Sequence, residues 1–358
     1  MNPSRAGILG VLTAALLTAL SVHAAAAFDR ARLTRLSVSL VKVEATDHEA
    51  HVSLGSGVVV APERIVTNCH VTRDAEHIFI LQRGLRWRAV AQSPDPEHDL
   101  CVLRVPGLAA PSADLGGARA LHVGDPVWAL GFEGGLRLQV RTGVVRALHA
   151  YDDGWVVEST TPFTSGASGG ALFDNAGRLA AILTYRLRGD RKSHFSVPVE
   201  WFMERVASER SYAAVMPLPA ASPFWERASM DLPYFMRAHQ LELGQDWSAL
   251  LALTDEWSRA QAHSAEPWLF RGRGLAQTHN LPAAQAALER ALELDPASAT
   301  AWLELGRLSA HRGSMPDAQA ALAHLESFNP ELARCLAQEL TFEFDTPTET
   351  DGESCSAL

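Results

Sequence analysis

From Leu33 to about Pro198, short apolar runs alternate with Gly, Pro and Asp. The runs "LSVSLVKVEA", "GSGVVVAP", "IFILQ", "WRAVAQS", "DLCVLRV", "PVWALGF", "RTGVVRAL", "WVVEST", "GALF" and "LAAILTY" each have the length and β-branched content of a strand. Many short strands separated by regular turn signals predict an all-β sandwich or barrel. A helix is expected from Val199 to about Ser211. Residues 213–229, "AAVMPLPAASPFWERAS", hold three prolines and many small residues, which predicts a linker over about 213–230. Phe224 and Trp225 within it ask for something to dock against. Beyond it the apolar spacing turns helical.

That helical half repeats itself. Trp268 and Trp302, Gly272 and Gly306, Ala284 and Ala318, Leu288 and Leu322, and Pro296 and Pro330 are each 34 residues apart. A 34-residue period with an early Trp, a small residue four later, a mid-repeat Ala and a terminal Pro resembles the tetratricopeptide repeat. Gly272 and Ala284 would let paired helices approach closely, and the Pro would end the second helix. Counting back from Trp268 reaches Tyr234 and a degenerate first copy. The repeats are expected at 231–264, 265–298 and 299–332 within a unit of 231–340, with a capping helix at 333–340. An acidic disordered tail, 341–358, follows, with five acidic and no basic residues.

Before the strands, Arg5, the apolar run Ile8–Leu20 and the small residues of "SVHAAAA" read as a cleavable export signal over 1–27. The run is too short to predict a spanning helix, and no second one follows it. The expectation is a periplasmic or secreted protein with no integral membrane span after signal removal. The chain's 358 residues allow two domains, and 47% apolar with 20% charged residues is a globular composition. The net charge is −10. Such an acidic chain argues against a nucleic-acid or anionic-membrane partner, which needs clustered positive charge. Four cysteines, at 69, 101, 335 and 355, are too few for a disulfide scaffold. No Cys or His cluster has zinc spacing, so spacing indicates neither a metal site nor a cofactor.

The chemistry centres on "TTPFTSGASGGALF", where Ser168 sits among glycines. A serine hydroxyl is a weak nucleophile unless a base takes its proton and a carboxylate orients that base. His70 closes the strand of "IVTNCHV" and Asp99 heads "DLCVLRV". Taken singly, each has a structural reading: a turn residue, a strand-end His, a strand-start cap. Together "GSGVVVAP", "IVTNCHV", "DLCVLRV", "LHVGDPVWALGF", "RTGVVRAL", "SGASGGALFDNAGRLAAI" and "HFSVPVEWF" resemble successive blocks of the HtrA/Deg-type bacterial trypsin-like serine proteases, over roughly 33–205. The resemblance implies an all-β chymotrypsin-like double β-barrel over 28–212, followed by an all-α tetratricopeptide-repeat solenoid. It implies a serine endopeptidase of protein or peptide substrates, with His70 as base, Asp99 as its orienter and Ser168 as nucleophile. The backbone N–H groups of Gly166 and Ser168 would form the oxyanion hole. Asp95 and His98 are the rival acid and base, set aside because Asp99 abuts the apolar strand and His70 sits in the family's TN-x-HV context.

Three departures from the family shape further expectations. Ala167 stands where the family has Asn or Asp, which predicts a loosely held oxyanion loop. An alternative function follows from it, a repeat-based protein-binding scaffold whose protease unit is latent or weakly active. Pro162, six residues before the nucleophile, removes the acid that a Lys or Arg preference needs; with Phe163 and Thr164 it predicts a pocket for small or medium apolar residues. Helical repeats replace the family's usual PDZ domains and would recruit a protein partner. Finally, the roles assigned to His70 and Asp99 bring Cys69 and Cys101 together, either as a disulfide or as two buried thiols.

Overall fold

The computed structural model describes residues 32–187 and 194–342. The expected export signal and all but the first two residues of the expected acidic tail lie outside them. In chain order the strands are β1 (Leu40–Thr46), β2 (Val52–Ala61), β3 (Arg64–Thr67), β4 (His77–Gln82), β5 (Leu85–Arg88), β6 (Ala91–Asp95), β7 (Leu100–Arg104), β8 (Pro126–Glu133), β9 (Arg137–Tyr151), β10 (Gly154–Ser159), β11 (Ala171–Phe173), β12 (Leu179–Arg186), β13 (His194–Pro198) and β14 (Ala213–Ala214). A helical turn α1 (Cys69–Thr72) interrupts them, and helix α2 (Glu200–Ala207) follows β13. Seven further helices close the chain: α3 (Tyr234–Leu243), α4 (Trp247–Ala260), α5 (Glu266–Gln277), α6 (Leu281–Leu294), α7 (Ala299–His311), α8 (Met315–Phe328) and α9 (Pro330–Phe342).

The strands form two sheets. One has the order β14-β6-β7-β3-β2-β1-β4-β5, and the other closes into a barrel, β10-β13-β12-β11-β8-β9. This is the all-β barrel that the strand pattern predicts and the chymotrypsin-like double-barrel architecture that the resemblance implies, with a helical repeat solenoid behind it. Closure follows from burial: β12 and β13 bury nearly every residue, as strands covered on both faces must. The run "WRAVAQS" supplies parts of two strands, β5 and β6, because the chain turns to a new partner at Ala89 and Val90. The helix expected to reach Ser211 stops at Ala207 and gives way to a 3-10 turn, Glu209–Ser211.

The helices pack as antiparallel pairs, and the small residues of the 34-residue period sit where helices touch. A Cβ on Gly272 would lie 2.7 Å from Leu288, and one on Gly306 would lie 2.5 Å from Leu336. The capping helix starts at Pro330, three residues before the expected 333, because a proline fits the first helical turn, where no N–H bond is lost. No helix among the described residues is long and apolar enough to cross a membrane.

The segment between barrels and repeats is packed rather than loose. Ala213 and Ala214 pair with β6, Leu218 N–H donates to the Arg73 carbonyl, and Phe224 N–H donates to the Glu97 carbonyl. Phe224 is fully buried, and Trp225 stacks on Tyr185 at 5.2 Å. One apolar core runs through it, joining Leu100 and Val102 of the first sheet, Phe173 and Phe195 of the second, and Phe235, Trp257 and Phe270 of the helices.

Candidate active site

His70 lies on α1 directly after β3, and Asp99 lies in the turn ahead of β7; these two strands pair with Thr67 opposite Cys101. That register brings the two ends together. The His70 backbone N–H donates to Asp99 Oδ1 at 2.8 Å, and the ring Nδ1 sits 2.6 Å from Oδ2. Asp99 is buried at 1% exposure and holds a left-handed backbone, φ 58°, which Asp tolerates better than most residues. The doubled bond fixes the imidazole's orientation and places the proton of the pair on Nδ1, leaving Nε2 to accept. Cys69 and Cys101 are joined by a disulfide between α1 and β7, one residue from His70 and two from Asp99.

Ser168 arrives from the second sheet, in the loop before β11. Its hydroxyl donates to the Thr184 carbonyl on β12 at 3.5 Å, and no His70–Ser168 hydrogen bond forms among the described residues. Asn68, next to Cys69, ties the two sheets: its side-chain amide donates to the Asp99 carbonyl at 2.9 Å and to Thr184 Oγ1 at 3.1 Å.

The loop around Ser168 is firmly held, which corrects the expectation drawn from Ala167. Ala167 is buried at 1% exposure, and its Cα would lie 2.9 Å from a Cβ added to Gly131, so loop and strand β8 are in direct backbone contact. An apolar anchor therefore replaces the family's polar one. Ser56 supplies a second anchor. Its buried hydroxyl accepts from Phe132 N–H at 2.8 Å and donates to the Gly166 carbonyl at 2.7 Å, and its own N–H donates to the Ser168 carbonyl at 2.8 Å. With the Gly166 carbonyl turned towards Ser56, the N–H groups of Gly166 and Ser168 have no partner among the described residues. Gly166 has φ 92° and Gly169 φ 83°, and a Cβ on Gly169 would collide with the Ser56 carbonyl at 2.2 Å. Ser56 and Asn68 were missed as site residues although both stand in the quoted motifs, because their partners are up to 116 residues away.

Of the expected pocket residues, Pro162 and Thr164 are exposed, while the Phe163 ring is buried against the His194 ring at 4.9 Å. The rivals His98 and Asp95 form a separate pair. His98 Nδ1 lies 2.9 Å from Asp95 and Nε2 lies 2.7 Å from Asp152, while Arg205 reaches Asp95 at 3.1 Å. Burial opposes both charges, yet the Asp95 carboxyl is held below its usual range by His98 and Arg205, and the His98 imidazole is raised by Asp95 and Asp152. The packed segment passes alongside His70, whose ring meets Trp225 edge-on at 5.6 Å. Between them lies a cleft of about 390 Å³ lined by His70, Arg73, Asp99, Leu218, Pro219 and Pro223.

Comparison with known proteins finds matches to both halves of the chain. Residues 55–182 match the trypsin-like peptidase domain family, and residues 265–308 match the tetratricopeptide repeat. A probable periplasmic serine endoprotease, DegP-like, from Pseudomonas savastanoi pv. phaseolicola is 32% identical over 161 residues, covering 42% of this chain and 34% of the relative. The serine endoprotease DegS from Haemophilus influenzae is 30% identical over 161 residues, 41% of this chain and 47% of that protein. The chain thus spans about a third to a half of the length of these relatives. Among solved structures, the Rv3671c protease of M. tuberculosis in its active form aligns at TM-score 0.48 and 22% identity, over 53% of this chain and 88% of that one. The HtrA-type protease AlgW with a tripeptide aligns at TM-score 0.45 and 29% identity, over 49% and 62%.

Proposed function

For a chain that joins a trypsin-like peptidase domain with DegP/HtrA-like relatives to tetratricopeptide repeats, we propose the activity of an exported serine endopeptidase. The observation that carries this reading is the buried Asp99 carboxylate gripping both the ring and the backbone of His70, with Ser168 presented from the facing sheet. In this mechanism Ser168 leaves the Thr184 carbonyl and turns to His70 Nε2. The imidazole takes the hydroxyl proton as Oγ attacks the peptide carbonyl, and passes it to the leaving amine. Water then hydrolyses the acyl-enzyme by the same route in reverse. The imidazolium formed in each step is stabilised by Asp99. The partnerless N–H groups of Gly166 and Ser168 receive the oxyanion, and each such donor is typically worth roughly 3–4 kcal/mol.

The catalytic unit in this reading is 28–212 and the recruiting unit is 231–340. Pro162, Phe163 and Thr164 favour small or medium apolar residues before the cut. The repeats bind a protein substrate or regulator, and the periplasm is the working compartment, in keeping with the naming of the DegP-like relatives. A fluorophosphonate probe should label the protein but not its Ser168→Ala variant. A folded protein that labels no better than that variant would end the proposal. Cleavage of a diverse peptide library should show few cuts after Lys or Arg.

The Ser168 hydroxyl resting on Thr184 favours one second reading, a scaffold whose protease unit is latent. Under it, the Ser168→Ala chain restores the phenotype of a deletion strain; under the first reading it does not.

A further inference from the structure

Away from the triad, three side chains distant in sequence meet where the barrel and the repeats join. His149 on β9 pairs with Val156 on β10, and Glu158 lies two residues further along, so the two share a face of the sheet. His239 reaches the same point from α3. His149 Nε2 lies 3.0 Å and His239 Nε2 lies 2.9 Å from one oxygen, Glu158 Oε2. Their side chains are 2%, 8% and 1% exposed, and the three ligand-type atoms lie within 4.8 Å of one another.

The surroundings have the character of a built site. The far nitrogen of each imidazole faces a carboxylate: His149 Nδ1 bonds Glu266 on α5, and His239 Nδ1 is 3.9 Å from Glu242. Metal-bound histidines are usually oriented in this way. Glu158 Oε1 is buried and accepts no hydrogen bond, its nearest ion-pair partner being Arg146 Nε at 3.4 Å. The buried Tyr185 hydroxyl also has no hydrogen-bond partner, and the Tyr185 ring stacks on Phe195 beside both histidines. Phe235 stacks on His149 at 4.3 Å and Phe270 meets His239 at 5.7 Å, which keeps the cluster dry.

Charge argues in the same direction. Around the cluster the carboxylates of Glu158, Glu242, Glu266, Glu304 and Glu339 outnumber the arginines that reach them, Arg146, Arg273 and Arg307. A surplus of carboxylates in a poorly solvated place is costly unless a positive charge compensates it. A divalent cation supplies that compensation.

We propose that His149, Glu158 and His239 form a zinc site that staples the first repeat helix to the closed barrel. Two imidazoles and a carboxylate suit zinc, whereas magnesium and calcium prefer oxygen alone. Tetrahedral zinc, with bonds of about 2.0–2.1 Å, sets its donors about 3.3 Å apart, so the two His–Glu separations of 3.0 and 2.9 Å would open slightly to admit it. Glu158 Oε1 or a water takes the fourth position. Spacing along the chain could not reveal the site, because its ligands come from two strands and a helix at 149, 158 and 239.

The test uses the full chain, stripped with a chelator and titrated with zinc against a chromophoric competitor. The expected result is one zinc per chain, with zinc-edge X-ray absorption reporting two imidazoles, oxygen donors and no sulfur. His239→Gln should weaken binding by about 100-fold or more. Failure of the wild-type chain to take up micromolar zinc overturns the proposal. So does a sulfur-containing or imidazole-poor coordination shell, or unchanged affinity in folded His239→Gln and Glu158→Gln chains. Should the variants not fold, the absorption spectrum of the wild type decides. None of these readouts depends on peptidase activity.

Discussion

Ser56 holds the loop around Ser168 through a single oxygen that serves Phe132 N–H and the Gly166 carbonyl at once. Ser56→Ala deprives two half-buried backbone groups of this partner, at a cost of about 1–3 kcal/mol. If Gly166 then turns its N–H away from the hole, kcat on a peptide substrate should fall roughly 10–100-fold with KM little changed. A rise in KM at constant kcat would instead place Ser56 in substrate binding. Each member of the proposed triad stands in a distinctive run, whereas Ser56 and Asn68 look like filler beside it until folding supplies their partners. His98 shows the opposite case, a conspicuous His–Asp neighbour with a structural part to play. Its raised pKa contributes stability below the unfolded value near 6.5 and loses it as pH climbs through the folded value; the lowered Asp95 contributes above 3.8 and loses it on acidification. His98→Gln should therefore cost about 1 kcal/mol at about pH 5.5 and much less at about pH 9, measured by urea unfolding. An equal loss at both pH values would contradict the ion pairing.

At the scale of elements, the disulfide joins α1 to β7 across a separation of 32 residues. Closing a loop of that length restricts the unfolded chain, so reduction and alkylation should lower stability by about 3–4 kcal/mol in urea melts. An unchanged midpoint would mean that the bond is absent or that strain cancels its effect. Strands that bury nearly everything, such as β7 and β12, were plain in the sequence, since continuous apolar runs between turn signals leave little choice. The 15-residue β9 was read only from Arg141 to Leu148, because most of its positions are half-buried or exposed and no clean alternation marks its ends. The helical period was legible for the same physical reason as β7. Gly272 and Gly306 recur where another side chain must fit against the helix.

The molecule as a whole has a shared core, and this the sequence did not disclose. Prolines and small residues between 213 and 230 signal a separator, but Phe224 and Trp225 find partners at Tyr151 and Tyr185 that no local pattern names. With Phe195, Phe224, Phe235 and Phe270 in one cluster, barrels and repeats should unfold together. Calorimetry should give a single transition with matching calorimetric and van't Hoff enthalpies; two well-separated peaks would mean the interface is weak. The edge-on meeting of Trp225 and His70 also gives the chain an optical probe at its centre. Subtracting the emission of a Trp225→Phe chain removes the background of the other tryptophans. The difference isolates the indole beside His70 with no substrate or label, and an emission unchanged by His70→Ala would show that the two rings are apart in solution.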